Sequence, residues 1–439
     1  MSNFWLYCIY LVPLGLVWLW YARRHQHDER RSVATLAEAR EAGLTEPVSL
    51  HPIIDANRCL GCGACVTACP EQPDHHVLGL IGGKAQLIGA TDCIGHGACK
   101  IACPTDAISL VFGSETRGVT IPLLSPEFET TVAGIFVAGE LGGMGLIRNA
   151  LTQGRQAIEA IHSKLGPTRG KEIVDVAIVG AGPAGFGAAI TATSLKMSFV
   201  CIEQESLGGC VFQYPRGKVV MTSPAELPLL GKIQFTTASK EQLLAFWQAA
   251  ERKVGLKMNY QERVISVTAT PQGSFAIKTS KGDYEAQNVL LTIGRRGTPR
   301  KLGVPGEELA KVVYRMIDPE QYAGQEVMVV GGGDSALEAA ASIAETGTAR
   351  VVLSYRSEAF GRAKQKNRQR LKQGEDQGRI RVLLKSQVKQ IEPESVTLEY
   401  EGKLVRIRND AVIINAGGVL PNDFLKSMGI QVETKYGTA

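Results

Sequence analysis

Charge of one sign is what this sequence has least of. Its 48 Lys and Arg stand against 43 Asp and Glu, leaving +5 over 439 residues. So mild a balance implies no nucleic-acid partner, which would call for a strongly basic face. A disulfide framework is lacking too. Of the 10 cysteines, all but Cys8, Cys201 and Cys210 crowd into one stretch, and those three are too scattered to form a scaffold. Thiols kept in this state imply a reducing compartment. Basic residues are missing before the N-terminal apolar run and small residues after it, which argues against a cleaved signal peptide. What remains is a globular composition with a modest apolar addition, 44% hydrophobic and 21% charged. The length suffices for two or three domains with cores of their own.

The cysteine stretch organises the rest. It reads Cys59-Leu-Gly-Cys62-Gly-Ala-Cys65-Val-Thr-Ala-Cys69-Pro70 and then Cys93-Ile-Gly-His96-Gly-Ala-Cys99-Lys-Ile-Ala-Cys103-Pro104. The first run has the C-x2-C-x2-C-x3-C-P spacing of cubane iron–sulfur sites, in which three close thiolates grip one cluster and the fourth, next to proline, reaches to the other. On that logic Cys59, Cys62, Cys65 and Cys103 hold one 4Fe–4S cluster, and Cys69, Cys93 and Cys99 serve a second. Zinc also takes paired cysteines, but in C-x2-C pairs rather than in two copies of such an array. His96 stands where the second run would have another cysteine. Three forms stay open: the imidazole ligates a fourth iron, the site lacks that iron and holds a 3Fe–4S cluster, or His96 is a bystander. With one thiolate fewer, the second cluster is expected to have the higher potential, since net charge helps to set it.

Residues 3–21 carry no charge and have about the length that crosses a bilayer core as a helix. Trp5, Tyr7, Trp18, Trp20 and Tyr21 would lie near the interfaces, and Pro13 and Gly15 are tolerable in such a helix. Arg23, Arg24, Arg30 and Arg31 follow, and basic residues there keep a body on the cytoplasmic side. The expectation is a single-pass transmembrane anchor over 1–22, an inner-membrane location and a catalytic body in the cytoplasm. Residues 23–50 read as a solvated linker containing a short charged helix that ends near Gly43.

Two later stretches carry glycine turns. Residues 173–187 run as an apolar strand into Gly180-Ala-Gly182-Pro183-Ala184-Gly185 and then a helix. The first glycine allows the tight turn, the second lets backbone approach a pyrophosphate, and the third lets helix meet strand. The phosphate sits on the helix N-terminus. The next strand ends in Glu203, placed for a ribose. Residues 326–338 repeat the device as Gly331-Gly-Gly333-Asp334-Ser335-Ala336. Its second strand ends in Arg356 rather than an acid, with Arg362 and Lys364 beyond. An arginine there suits a 2′-phosphate and so NADP over NAD. The alternative is that Arg356 to Lys372 is only a solvated basic helix.

Three resemblances follow from these motifs. Residues 51–112 resemble two-cluster bacterial ferredoxins. Residues 117–165 and 172–439 resemble the flavoproteins of the thioredoxin reductase group, and Gln213-Tyr-Pro-Arg with Thr222-Ser-Pro-Ala-Glu-Leu leans toward the bacillithiol-disulfide-reductase-like branch. The segment Gly134-Ile-Phe-Val-Ala-Gly139-Glu140, followed by a helical pattern from Leu146 to Leu165, is similar to the closing FAD segment of that group. That segment ordinarily comes last, but here it precedes the first glycine turn. Val412-Ile-Ile-Asn-Ala-Gly417-Gly-Val-Leu-Pro-Asn resembles the strand before it. The likeness therefore implies a circularly permuted flavoprotein; domains tolerate permutation because their termini often lie close together.

The expected fold class is α/β, with two Rossmann-like dinucleotide-binding domains, a small α+β ferredoxin domain and the N-terminal helix. Its pieces are the ferredoxin domain over 51–112, the closing segment over 113–168, the FAD domain over 172–297, the NAD(P) domain over 298–410, and a return strand of the FAD domain over 411–439. The resemblance implies FAD at the first turn and NADP or NAD at the second, with Gly294 and Gly417 among the binding residues. It departs where thioredoxin reductases carry a C-x2-C pair, since Val312 to Gln325 contains no cysteine. Ala184 also replaces the cysteine of the bacillithiol-linked branch. The implied activity is an NAD(P)H:acceptor oxidoreductase that passes hydride to flavin and single electrons through the clusters, or the reverse. No side chain is named as catalytic. The partner would be a redox protein or a membrane electron carrier, and a homodimer is left open. Two other readings stand beside it: a disulfide reductase using Cys210, and a redox-sensing or assembly subunit.

Overall fold

The computed structural model describes every residue except 1, 42–44, 46, 48–49, 73–75, 94, 116–117, 144, 167–172, 222–224, 234–236, 296, 362 and 438–439, and leaves aside the side chains of 2–9, 219, 221, 225 and 237. The chain divides into two compact units, Met1–Val119 with Tyr436–Ala439, and Thr120–Lys435.

The first unit is built on a repeat. Strand Leu50–Ile54 pairs antiparallel with Ile108–Phe112, and Leu78–Ile81 forms a hairpin with Lys84–Leu87. Between them each cysteine run makes the same turn. Gly61 and Gly63 have φ of 67° and 73°, and their counterparts Gly95 and Gly97 have 70° and 80°. Only glycine adopts that conformation without strain. Each pair leads into a short helix, Ala64–Ala68 and Ala98–Ile101.

The N-terminal segment differs from both expectations made for it. Residues Ser2–Glu41 form one unbroken helix with Pro13 inside it. Among the described residues no helix is long and apolar enough to cross a membrane, so the anchor over 1–22 is corrected, and the inner-membrane location that rested on it falls with it. The physical reason is the make-up of the run. It is free of charge, but Trp, Tyr, Pro13 and Gly15 dilute its aliphatic content, and the same helix carries Arg23 and Arg24 directly after it. The linker reading over 23–50 is corrected in part, because one stripe of the second half of the helix is packed while most of its residues are exposed. Ser32 and Ala39 are buried, Gly82 N donates to Glu29 Oε1 at 2.7 Å, and a Cβ on Gly79 would come within 2.5 Å of Ser32 Oγ.

Two large sheets organise the second unit, beside a three-stranded sheet of Ser386–Glu392, Ser395–Tyr400 and Lys403–Arg408 and several two-stranded ribbons. In the first, Val264–Ala269, Phe275–Thr279, Asp283–Leu291, Val174–Val179 and Phe199–Ile202 lie in that order. Ile135–Val137 adds a parallel strand beside Val289 to Leu291, on the edge of Asp283–Leu291 away from Val174–Val179. In the second sheet Val312–Val313, Ala411–Ile414, Glu326–Val330, Arg350–Ser354 and Ile380–Leu383 are parallel neighbours. Ala411–Ile414 thus sits inside this sheet. It is not a return strand of the first domain, and the boundary placed at 410 is corrected. Its four residues are fully apolar and all buried, as a strand covered on both faces must be; from the sequence alone either sheet could have claimed it. The chain comes back only afterwards, where Leu425, Met428 and Ile430 join Ile135, Val137, Ala177 and Val289 in one core.

Helix Ile147–Lys164 lies against helix Pro183–Ser194, and the crossing is made by glycines. A Cβ on Gly154 would stand 2.0 Å from Ala184 O, and one on Gly187 would stand 2.5 Å from Leu151 O. Both obstacles are backbone and cannot swing aside. Gly154→Ala should therefore destabilise this unit by about 1–3 kcal/mol or more, the range for overpacking. Chemical denaturation of the full chain reads it, and an unchanged midpoint would contradict the crossing.

Candidate functional site

The cysteines line two cavities. Cys59, Cys62, Cys65 and Cys103 line one, with Ile54 and Ile108. Cys69, Cys93, Cys99 and His96 line the other, with Glu71, Leu78 and Leu110. Each run therefore lends its proline-flanked cysteine to the other run's cavity. Backbone amides approach the first set: Gly61 N and Ala85 N donate to Cys59 Sγ at 3.4 and 3.5 Å, and Ala107 N donates to Cys103 Sγ at 3.3 Å. Such contacts help to set a cluster's potential. Burial pushes the Cys65 and Cys93 thiols up to about 11, so iron, which binds thiolate, has to displace those protons. Among the described residues no three His, Cys, Asp or Glu side chains converge on a single metal-ion position; the sulfurs ring the two cavities instead.

The first glycine turn opens a cavity of about 550 Å³ lined by Gly139, Glu140, Gly180, Gly182, Pro183, Ala184, Glu203 and Gly294, among others. Gly180 has φ of 107°. A Cβ on Gly185 would lie 1.9 Å from Gly180 O, so that glycine is needed where helix meets strand, while at Gly182 the nearest atom is 4.0 Å away. The cradle is thus closed at Gly185 and open at Gly182, as a pyrophosphate would need. Glu203 is buried, with Oε2 accepting from Ala181 N at 2.7 Å and Oε1 from Glu205 N at 2.8 Å. Burial raises its carboxyl and these amides oppose the rise. Gly139 N donates to Gln153 Oε1 at 2.9 Å, which fixes the turn that presents Glu140.

The second turn opens a cavity of about 520 Å³ lined by Gly331, Gly333, Asp334, Ser335, Arg356 and Gly417, together with Arg300, Lys301 and Gln387. Gly417 therefore belongs to this cavity and not to the first. Ala336 is fully buried and plays the part of the third glycine, closing helix against strand. The carboxylate of Asp334 serves the fold, since its Oδ1 accepts from Lys364 N at 2.8 Å and from Asn367 Nδ2 at 2.7 Å. Arg362 lies outside the described residues.

The two nucleotide cavities meet at a third, of about 410 Å³, whose walls include Glu140, Cys210, Lys218, Arg295, Arg315, Ser335 and Glu338. Lys218 Nζ pairs with Glu338 Oε2 at 2.6 Å, and Arg315 Nη1 with Glu205 Oε1 at 3.1 Å. Sequence reasoning missed these four residues and also Arg295, Arg300 and Lys301. Arg295 could have been found, because it directly follows Gly294. Lys218 and Glu338 could not, being partners only through the fold.

A family model described as pyridine nucleotide-disulphide oxidoreductase matches residues 177–438, more than half of the chain. The chain belongs to that family. A second model, a 4Fe–4S dicluster domain, matches residues 51–104. Among curated proteins the chain is similar to the bacilliredoxin reductase Bdr of Bacillus subtilis, 28% identical over 59% of this chain and 82% of the relative. It is also similar to a ferredoxin–NADP reductase of Ignicoccus hospitalis, 28% identical over 60% of this chain and 83% of the relative. Among solved structures, the bacillithiol disulfide reductase Bdr (YpdA) from Staphylococcus aureus superposes with a TM-score of 0.52 at 26% identity, covering 59% of this chain and 81% of that one.

Membership makes the protein an FAD-type oxidoreductase enzyme with a dinucleotide-binding α/β fold, here joined to a 4Fe–4S dicluster domain. The residues present suit those groups: the cradles around Gly182 and Gly333 leave open space where a Cβ would be, and the cysteines sit in two sets. Cys69→Ser should test the crossover. It should alter the centre served by Cys93 and Cys99 and spare the one served by Cys59, Cys62 and Cys65, as read by iron content and EPR. A change in both centres alike would contradict the assignment.

Proposed function

We propose that this protein moves electrons between a nicotinamide nucleotide and a one-electron redox protein. FAD would occupy the cavity around Gly182, NADP the one around Gly333, and clusters the two cysteine-lined cavities. The observation that carries the reading is the meeting of both nucleotide cavities at one junction in a chain that also holds two sulfur-ringed cavities. When bound, flavin takes electrons in pairs as hydride and hands them on singly, which is how it can serve iron–sulfur centres. The chain's own part is to bind and orient: the glycine turns admit the pyrophosphates, and the junction brings the two nucleotide sites face to face. The redox partner is proposed as a ferredoxin-like carrier, in keeping with the named activity of the Ignicoccus relative. Electron flow could run in either direction with the same parts.

The reading includes a permuted flavin domain, in which residues 113–168 supply the closing segment. Support comes from Ile135–Val137 lying parallel to the end of Asp283–Leu291, from the glycine crossing, and from the core that Leu425 and Ile430 share with Ile135. The second cluster is proposed to have His96 in place of a thiolate, with either four or three irons.

A second reading, disulfide reduction, is favoured by one observation: Cys210 lines both the first nucleotide cavity and the junction. Thiol titration after anaerobic reduction by NADPH separates the two readings, because only the second requires Cys210 to change state.

The direct test is anaerobic mixing of the iron-loaded full chain with NADPH, followed by flavin absorbance and freeze-quench EPR. Flavin bleaching followed by reduced-cluster signals is expected; bleaching without any cluster signal would refute transfer to the clusters. Arg356 gives a separate check on the nucleotide. Arg356→Ala should weaken NADPH binding by about 1.5–3 kcal/mol, the worth of a charge-assisted contact, and leave NADH binding nearly as it was. An equal loss for both would show that Arg356 does not read the 2′-phosphate.

A further inference from the structure

The internal repeat allows the two cysteine cavities to be compared position by position. When the runs are aligned on their cysteines, the polar lining differs at two places. Cys62 of the first cavity corresponds to His96 of the second. Thr105, which follows Cys103-Pro104 and lines the first cavity, corresponds to Glu71, which follows Cys69-Pro70 and lines the second. Thr105 is neutral, and its hydroxyl lies 3.6 Å from Cys103 Sγ. Glu71 is a carboxylate only 6% exposed.

We propose that Glu71 restores to the second site the negative charge that His96 removes. The first site offers four thiolates. Among the residues that line the cavities, the second offers three thiolates, a neutral imidazole and a carboxylate, so the two linings carry the same number of anionic groups. Because net charge is among the terms that set a cluster's potential, Glu71 holds the second centre below the potential that the loss of a thiolate would give it. The two centres are thereby kept closer in potential than their ligand sets suggest. The inference rests on the second cavity being a cluster site.

An iron count with an EPR-monitored redox titration of the full, cluster-loaded chain tests this, using a chemical reductant so that turnover plays no part. Glu71→Gln should keep the iron content and raise the midpoint of one centre by at least tenfold in its reduction equilibrium, about 59 mV for one electron. The other centre should not move. Glu71→Asp, which keeps the charge, should stay near the parent protein. Normal iron content with both midpoints unchanged in Glu71→Gln would overturn the inference, as would an equal shift of both centres. Loss of iron from the second site in Glu71→Gln, with retention in Glu71→Asp, would support it, while loss in both variants would overturn it as a charge effect. Iron for a single cluster in the parent chain would remove the two-cluster reading itself, and the unaltered count tells that failure apart from the others.

Discussion

Two helices that touch backbone to backbone hold the flavin-type half of this molecule together. Gly154 and Gly187 let Ile147–Lys164 and Pro183–Ser194 approach so closely that any side chain at either point would strike a carbonyl or Cα. The consequence runs outward from the crossing. Pro183–Ser194 begins at the first glycine turn, so the helix laid across it fixes where the preceding Gly139–Glu140 turn can stand. Ala157, Ile158 and Ile161 of one helix and Phe186, Ala189 and Ile190 of the other share a single core. A Leu- or Ile-sized residue buried in this way contributes about 1.5–3 kcal/mol, and those contributions are available only if the backbones come close enough. The crossing is therefore the geometric condition on which the first nucleotide cavity depends.

Why some of this was legible in sequence and some was not follows from range. The cysteine sites could be read because iron–sulfur ligation imposes spacing within a dozen residues, and the crossover of Cys69 and Cys103 follows from the same pattern. The glycine turns at Gly180 and Gly331 are equally local, since each needs a strand, a tight turn and a helix in succession. Ala411–Ile414 is the opposite case. Four buried apolar residues say that a strand is interior and say nothing of which sheet it enters; that is decided by the neighbours, Val312–Val313 and Glu326–Val330. Gly417 moves to the second cavity with it. The N-terminal helix misleads for another reason: absence of charge is not apolar character, and a run rich in Trp and Tyr meets the first condition without the second.

Glu71 shows a third kind of limit. Its place after Cys69-Pro70 is in plain view, but a carboxylate beside a cysteine motif reads as solvated until its burial is known. Only the alignment of the two cavities, with Thr105 at the equivalent position, gives it a meaning. Internal repeats are useful in this way because each half is a control for the other. Where the halves agree, as at Gly61 and Gly95, the shared feature serves the backbone. Where they differ, the difference has to be explained by the separate chemistry of the two sites.

The junction of the two nucleotide cavities is held in a different manner from the cores that flank it. Its ion pairs, Lys218 with Glu338 and Arg315 with Glu205, are each about a quarter to a third exposed on both sides. Pairs of that kind are worth only about 0–1 kcal/mol each. Beside them, Thr298–Pro299 and Gly418–Val419 pair over only two residues, a ribbon too short to be stable alone. The cores to either side bury dozens of apolar side chains. Among the described residues, the relative orientation of the two glycine-turn cavities therefore rests on weaker contacts than the flanking cores, Lys218 with Glu338 and Arg315 with Glu205 among them. Glu338 is also tied, through Asn367, to the Asp334 that fixes Lys364. The clasp at the junction and the basic segment beyond Arg356 are thus joined by one hydrogen-bonded chain.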